Sequence, residues 1–420
     1  MGLLQCPLCC HSQDQQPQAH SHHRQSESST SSSLSSQPSL PSVPSLTPPS
    51  HHPQQPQPSH HQLITTVKGH SSPIFSLALH GKFLYSGSSS SEIRSCSRDP
   101  FALQSSSNTN NMVAFSNGAI KSLIVFGDML FSAHQDHKIR VWRIETNNRN
   151  QRYQCIATLP TLKDRFCKLF YSKNYVEVRR HKKCTWVHHH DTVSALALSK
   201  DGSLLYSASW DRTFKIWRTS DFKCLESVRN AHDDAINALA LSSDGFVYTG
   251  SADKRIKIWK KHEGEKKHSL LGTLEKHKSA VNALALSTDG SVLYSGACDR
   301  SILVWENDSN ETNDGDGNMV LVGALRGHTK AILCLVVVAD LVCSGSADNT
   351  VRIWRRGFEK NYSCLGVLEG HRRPIKCLAI AVDSNSANNG GPDDNSNSYL
   401  VYSGSLDCDI KVWQIRVPLF

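Results

Sequence analysis

Six of the eight tryptophans in this 420-residue chain close one and the same twelve-residue pattern. It reads YSASWDRTFKIW at 206–217, YTGSADKRIKIW at 248–259 and YSGACDRSILVW at 294–305. It returns as CSGSADNTVRIW at 343–354, YSGSLDCDIKVW at 402–413 and, earlier, FSAHQDHKIRVW at 131–142. A seventh copy, YSGSSSSEIRSC at 85–96, carries Ser90 in place of the Asp and Cys96 in place of the Trp. The closest pair, Trp217 and Trp259, sets a unit of 42 residues, to which the other copies add insertions. A recurring unit of this size cannot bury its own apolar face, so neighbouring copies must stack to build a core.

A second fixed element lies upstream of each copy. His70, His189, His232, His277, His328 and His371 each stand four residues before the apolar residue that opens a short alternating segment, and Ser116 takes this place in the second copy. Each unit thus reads as strand, turn, strand, Asp turn, strand ending in Trp, and a short fourth strand, with no helix. Four antiparallel strands make one propeller blade, and seven units predict a closed, all-β ring of seven blades. The last Trp stands only seven residues from Phe420, which leaves too little chain for a fourth strand beyond it. The segment LITTVKG at 63–69 looks like a fourth strand without its first three, and is expected to complete the last blade and lock the ring.

These motifs resemble the WD40-repeat family over residues 63–420. The resemblance implies a seven-bladed WD40 β-propeller in which His, Ser or Thr, Asp and Trp hydrogen-bond together within a blade. Carried onto this sequence, the sets are His232, Thr249 or Ser251, Asp253 and Trp259; His277, Ser295, Asp299 and Trp305; and His328, Ser344, Asp348 and Trp354. A buried indole N–H, hydroxyl and carboxylate each need partners, and such a set supplies them. Copies one and two lack members, so packing is expected to hold those blades instead. Lys215, Lys257, Arg352 and Lys411, two residues before their Trp, read as routine blade residues with packed stems and heads in water.

The formal charge of +9 divides unevenly: residues 1–62 carry −1, from Asp14, Arg24 and Glu27, and the remainder carries +10. That leader is rich in Ser, Pro, Gln and His and cannot bury enough apolar surface to offset its ordering entropy, so it reads as a disordered extension. The acidic stretches 307–318 and 383–398 read as solvent loops. No window is apolar enough to cross a bilayer, and the opening MGLLQCPLCC lacks the basic start of a secretory signal. Cysteines scattered singly through apolar strands suggest reduced thiols, hence the cytoplasm and/or nucleus.

Cys6, Cys9, Cys10 and His11 have a suggestive spacing, but a zinc site needs a second ligand pair and only dispersed His follow. Gly2 and Cys6 offer a myristate and a palmitate acceptor, yet Cys6 stands where Ser or Thr is usual, so an unmodified tail is preferred. Catalysis is not expected: one His/Ser/Asp set per blade serves a repeated role, whereas a triad is a single site. No phosphate-binding Gly loop, HExxH or GxSxG is present, and no cofactor is called for.

Between Trp142 and Trp217 the chain carries a long insertion, TLKDRFCKLFYSKNYVEVRRHKKCTW at 161–186. Thr161 and Asp164 resemble a capping box, and Leu162, Phe166, Leu169 and Phe170 share one helical face. If CIATLP (155–160) is the fourth strand of blade two, as is favoured here, the insertion sits on the face where the His loops and Asp turns gather. If CTWVH (184–188) is, it hangs below. Its apolar residues would clip it to the ring with charges in water; the rival readings are a partner-binding element around Arg179 and Arg180 and a nuclear-import signal in RRHKK. Within the WD40 family, this insertion and the Ser/Pro-rich leader resemble the plant JINGUBANG-like group, which implies a regulatory adaptor.

A partner would dock where the loops between blades and the Asp turns converge. Trp210, before Asp211, is an aromatic anchor candidate. Arg212, Lys254 and Arg300 follow their Asp, and Lys278, Lys330, Arg372 and Arg373 follow the His, giving a basic rim suited to an acidic or phosphorylated protein segment. Specific nucleic-acid binding is disfavoured because the pI of about 8.8 is modest and the cations are dispersed. The expected function is a non-catalytic scaffold or adaptor for protein–protein contacts, in signalling or transcription complexes. The alternatives are a substrate-recognition subunit of a ubiquitin ligase and a nucleic-acid-associated propeller.

Overall fold

The computed structural model describes residues 43–47, 60–100, 103, 111–147, 150–170, 175–179, 182–307, 318–357, 360–383 and 396–418. Gly2, Cys6, Cys9, Cys10, His11, Arg180 and most of the two acidic stretches lie outside them, as does the side chain of Arg179.

Seven four-stranded antiparallel sheets form. Blade 1 is Ile74–His80, Phe83–Ser88, Glu92–Ser97 and Asn111–Phe115; blade 2 is Ile120–Phe126, Met129–His134, Ile139–Asn147 and Asn150–Leu159. Blades 3, 4, 5 and 6 begin at Val193, Ile236, Val281 and Ile332 and end with the strands Cys224–Val228, Ser269–Leu274, Met319–Leu325 and Tyr362–Leu368. Blade 7 takes three strands from the C-terminal end, Ile375–Val382, Ser396–Ser405 and Ile410–Pro418. Its outermost strand, His61–Val67, comes from the other end of the chain, with Leu63 opposite Trp413. Strand alternation explains the register: Val, Ile, Leu and Tyr at every second position face the neighbouring blade.

The core lies between blades. Tyr206, Phe214 and Ile216 of blade 3 pack on Ile236, Val247 and Trp259 of blade 4, and Ile74 and Leu77 of blade 1 pack on Tyr402, Ile410 and Val412 of blade 7. First strands touch their neighbours all round, blade 7 returning to blade 1. The small residue within the repeated Ser-Gly-Ser follows from this closeness. A Cβ on Gly296 would come within 2.5 Å of Ile332 Cγ2 in the next blade.

The insertion follows the strand Asn150–Leu159, as the favoured reading of CIATLP required. It contains a helix, Leu162–Leu169, and a two-stranded hairpin, Tyr175–Arg179 with Lys182–Thr185. Thr161 caps the helix, its Oγ1 accepting from Asp164 N at 3.2 Å. Its attachment corrects two expectations. The buried Asp164 carboxylate accepts from Cys224 N at 2.8 Å, at the end of the blade 3 outer strand remote from the Asp211 turn, so this part of the insertion runs along the outer side of the ring. And Leu162, Phe166 and Phe170 of the helix are not the clip, being 67, 62 and 80 % exposed; the apolar clip is Trp186 at the far end of the insertion, which packs on the core between blades 2 and 3. The helix itself is held by a polar anchor, Asp164, bonded to a backbone amide.

Candidate functional site

Blades 3 to 7 build the same side-chain network. In blade 5, His277 Nε2 lies 2.8 Å from Ser295 Oγ, Trp305 Nε1 donates to that oxygen at 2.9 Å, and His277 Nδ1 lies 2.9 Å from Asp299 Oδ2. Blade 4 uses His232, Thr249, Asp253 and Trp259. Thr249 is the hydroxyl in this set, and Ser251 instead accepts from Asp253 N. Blade 6 uses His328, Ser344, Asp348 and Trp354; blade 3 uses His189, Ser207, Asp211 and Trp217; blade 7 uses His371, Ser403, Asp407 and Trp413. A ring protonated at Nδ1 satisfies every group, because the hydroxyl donates to Nε2 and the carboxylate accepts from Nδ1–H.

Burial alone would raise the Asp253 and Asp299 carboxyls. Hydrogen bonds and charge attraction from His232 and His277 outweigh it and hold both at about 2. The same Asp oxygen also accepts the amide after the His, as Lys278 N shows at 2.9 Å and Arg372 N, on Asp407, at 2.9 Å. One carboxylate thereby staples the inter-blade loop to the Asp turn, which puts the two sets of rim cations on one face.

Blade 2 differs from the expectation that packing replaces the network. In blade 2 the second strand supplies its own imidazole. His134 Nε2 lies 2.7 Å from Ser132 Oγ, which accepts from Trp142 Nε1 at 2.9 Å, and His134 Nδ1 lies 3.2 Å from Ser116 Oγ. Asp136 turns to Arg140 at 2.5 Å. In blade 1, where Ser90 has replaced the Asp, His70 keeps its contact with Ser86 at 2.7 Å, while its buried Nδ1 lies 3.6 Å from Glu92 Oε2, beyond hydrogen-bond distance. The signal for His134 was visible as the His of FSAHQD, although it falls outside the repeat register.

The residue after each Asp position has positive φ in all seven blades: Ser91, His137, Arg212, Lys254, Arg300, Asn349 and Cys408 lie between 67° and 75°. Of these, His137, Arg212 and Lys254 are exposed, whereas Ser91 is buried. Arg212, Lys254, Lys278, Lys330, Arg372 and Arg373 are exposed and Arg300 is half-buried. Trp210 is half-buried and turns toward the first strands: Lys121 Nζ lies 5.4 Å from its ring centroid and 4.3 Å from that of Phe75. Sequence reading passed over Phe75 and Lys121 because each stands in the second position of an ordinary first strand.

Lys215 corrects the view that these cations keep their heads in water. It is 1 % exposed, and Nζ donates to Trp186 O at 2.7 Å and to Ser227 Oγ at 2.6 Å. Burial lowers its pKa. Trp186, one of the two tryptophans outside the repeat register, is thereby tied to blade 3, and Lys168 of the helix lies 5.2 Å from its ring centroid.

The family model described as "WD domain, G-beta repeat" matches residues 61–95, 181–218, 222–260, 268–306, 319–355 and 362–414. The chain belongs to the WD40 family. Blade 2, with its altered network, falls in the unmatched stretch. Zinc finger CCCH domain-containing protein 62 of Arabidopsis thaliana is 24 % identical over 166 residues, 40 % of this chain and 37 % of its own length. CCR4-associated factor 4 homolog of Candida glabrata is 30 % identical over 132 residues, 31 % and 22 % respectively. An uncharacterized WD repeat-containing protein of Schizosaccharomyces pombe is 26 % identical over 163 residues, 38 % and 42 %. The chain thus spans less than half the length of each of these relatives. WD40 propellers are generally non-catalytic and are protein-interaction scaffolds. The hydroxyls of Ser207, Thr249, Ser295, Ser344 and Ser403 belong to residues that are 0 % exposed, where no substrate can meet them. No helix among the described residues is long and apolar enough to cross a membrane.

Proposed function

We propose that the chain is a regulatory adaptor of signalling or transcription complexes, in the cytoplasm and/or nucleus, whose Asp-turn face takes an acidic or phosphorylated segment of a partner protein. The observation that carries this reading is the placement of Arg212, Lys254, Lys278, Lys330, Arg372 and Arg373 as exposed cations on loops stapled together by the Asp carboxylates. Rigid turns present these cations at little entropic cost on binding. Lys121, between the rings of Phe75 and Trp210, adds a cation with an apolar surround toward the middle of that face.

The insertion supplies a second contact surface. Leu162, Phe166 and Phe170 form an exposed apolar stripe on a helix fixed from its other side by Asp164, a form suited to a partner. The likeness of this insertion and of the Ser/Pro-rich leader to the plant JINGUBANG-like group agrees with a regulatory role.

An array of acidic, phosphoserine, neutral and basic peptides, probed with the full chain, tests the face. Retention should favour the acidic and phosphorylated sets and fall at least tenfold in Arg372→Glu/Arg373→Glu. Retention without charge bias, or unaltered by the reversal, would overturn the reading.

A further inference from the structure

Residues 43–47 belong to the leader, yet they lie along the outer edge of blade 5. Leu46 N donates to Ala324 O at 2.9 Å and Ala324 N donates to Pro44 O at 2.9 Å, a parallel pairing with Ser45 opposite Ala324. Tyr362 N, at the start of the blade 6 outer strand, donates to Leu46 O at 3.2 Å, and Arg326 Nη2 donates to Val43 O at 3.0 Å. Val43 is buried, and Leu46 packs on the cluster of Leu325, Trp354 and Tyr362 between blades 5 and 6. Pro44 and Ser45 face outward.

The seat is made by a missing side chain. A Cβ on Gly323 would come within 2.6 Å of Leu46 Cγ and 2.9 Å of Pro44 O. The residue at the same register in blade 3 is Glu226, whose carboxylate is engaged by His268, and in blade 2 it is Ala157. Gly272 of blade 4 and Gly366 of blade 6 share the register, but there the nearest atoms to a Cβ are Ile258 Cδ1 of the same blade, at 3.8 Å, and the His61 ring of the strand that completes blade 7, at 3.1 Å. The leader is written to match. Pro-Ser-aliphatic occurs three times in succession, at 38–40, 41–43 and 44–46, so aliphatic side chains recur every third residue. The two that blade 5 takes, Val43 and Leu46, have this spacing. An unpaired sheet edge supplies backbone affinity and its pockets supply choice of side chain, the general physics of strand addition.

We propose that the outer edge of blade 5 is a peptide-recognition groove for extended aliphatic-Pro-Ser-aliphatic segments, and that Val43–Leu46 of the same chain is its resident occupant. Twelve residues separate Thr47 from His60, and a tether of that length holds a segment at roughly millimolar effective concentration. A free peptide at micromolar concentration therefore finds the groove closed until the resident segment is weakened.

The test is fluorescence anisotropy of a labelled peptide with the sequence of residues 37–50, titrated with the full chain. Wild-type protein should bind it at least tenfold more weakly than the full-length variant Val43→Asp/Leu46→Asp. A peptide carrying the same two aspartates should not bind, and adding Gly323→Val to the variant should abolish binding. Should Gly323→Val fail to fold, the aspartate peptide and Arg326→Ala, which removes the contact to the Val43 position, serve in its place. Equal binding by wild type and variant, no measurable binding by either, or equal binding of both peptides would overturn the proposal. So would a wild-type dimer in light scattering that falls to monomer in the variant, since the occupant would then come from a second copy.

Discussion

His134 Nε2 lies 2.7 Å from Ser132 Oγ, two residues away on its own strand, whereas blades 3 to 7 bring this imidazole in from the loop before the first strand. Blade 2 has therefore kept the chemistry of the network while changing its source. His134→Ala is expected to destabilise the protein by about 1–3 kcal/mol, the cost of leaving buried polar groups short of a partner. Ser116→Ala, which removes the outer contact at 3.2 Å and a 3.3 Å bond to Ser91 O but leaves the His134–Ser132–Trp142 set in place, should cost less. Urea unfolding of both variants checks the order.

Ser295→Ala goes further, since it deprives both Trp305 Nε1 and His277 Nε2. A loss of about 2–4 kcal/mol is expected, exceeding that of His134→Ala. A melting temperature within a degree of wild type would show that the network adds nothing to packing.

Acid should unfold the ring in two windows. Burial, helped by Arg94 and Arg140, lowers His70 and His134 to about 4. The unfolded chain, with imidazoles near 6.5, takes up protons first, so their contribution is complete above pH 6.5 and is lost as pH falls toward 4. Asp253 and Asp299, held at about 2 against 3.8, contribute fully above pH 3.8, and that part is lost between there and pH 2. His134→Gln should make the first window shallower, with the part due to His70 remaining, and leave the second unchanged. A urea midpoint constant from pH 7 to 4.5 would contradict the assignment.

The insertion should come loose before the ring does. Asp164→Ala frees Cys224 N, and hydrogen exchange over 161–169 is expected to accelerate at least tenfold while amides of blade 5 keep their protection.

What the sequence made legible was whatever the repeat writes many times. The blades, the networks of blades 4 to 6 and the strand that locks blade 7 could be read from Trp, Asp and His at fixed register, because interblade packing demands the same side chains in every copy. Single events were harder. His134 stands outside the register it serves. Val43 and Leu46 are two aliphatics in a tract whose composition denotes disorder, and only the groove at Gly323 makes them ligands. Leu162, Phe166 and Phe170 form a helical stripe that usually signals burial. Here a buried Asp164 holds the helix and the stripe faces water, which periodicity alone cannot foresee.

The most direct measurement of the docking face is quantitative co-purification with the full chain beside Arg212→Glu/Lys278→Glu/Arg372→Glu, a variant that alters three exposed cations and no member of a buried network. With melting temperatures matched, a basic docking face predicts loss of the acidic or phosphorylated partners by tenfold or more. Recovery of the same partners at unchanged levels would contradict it.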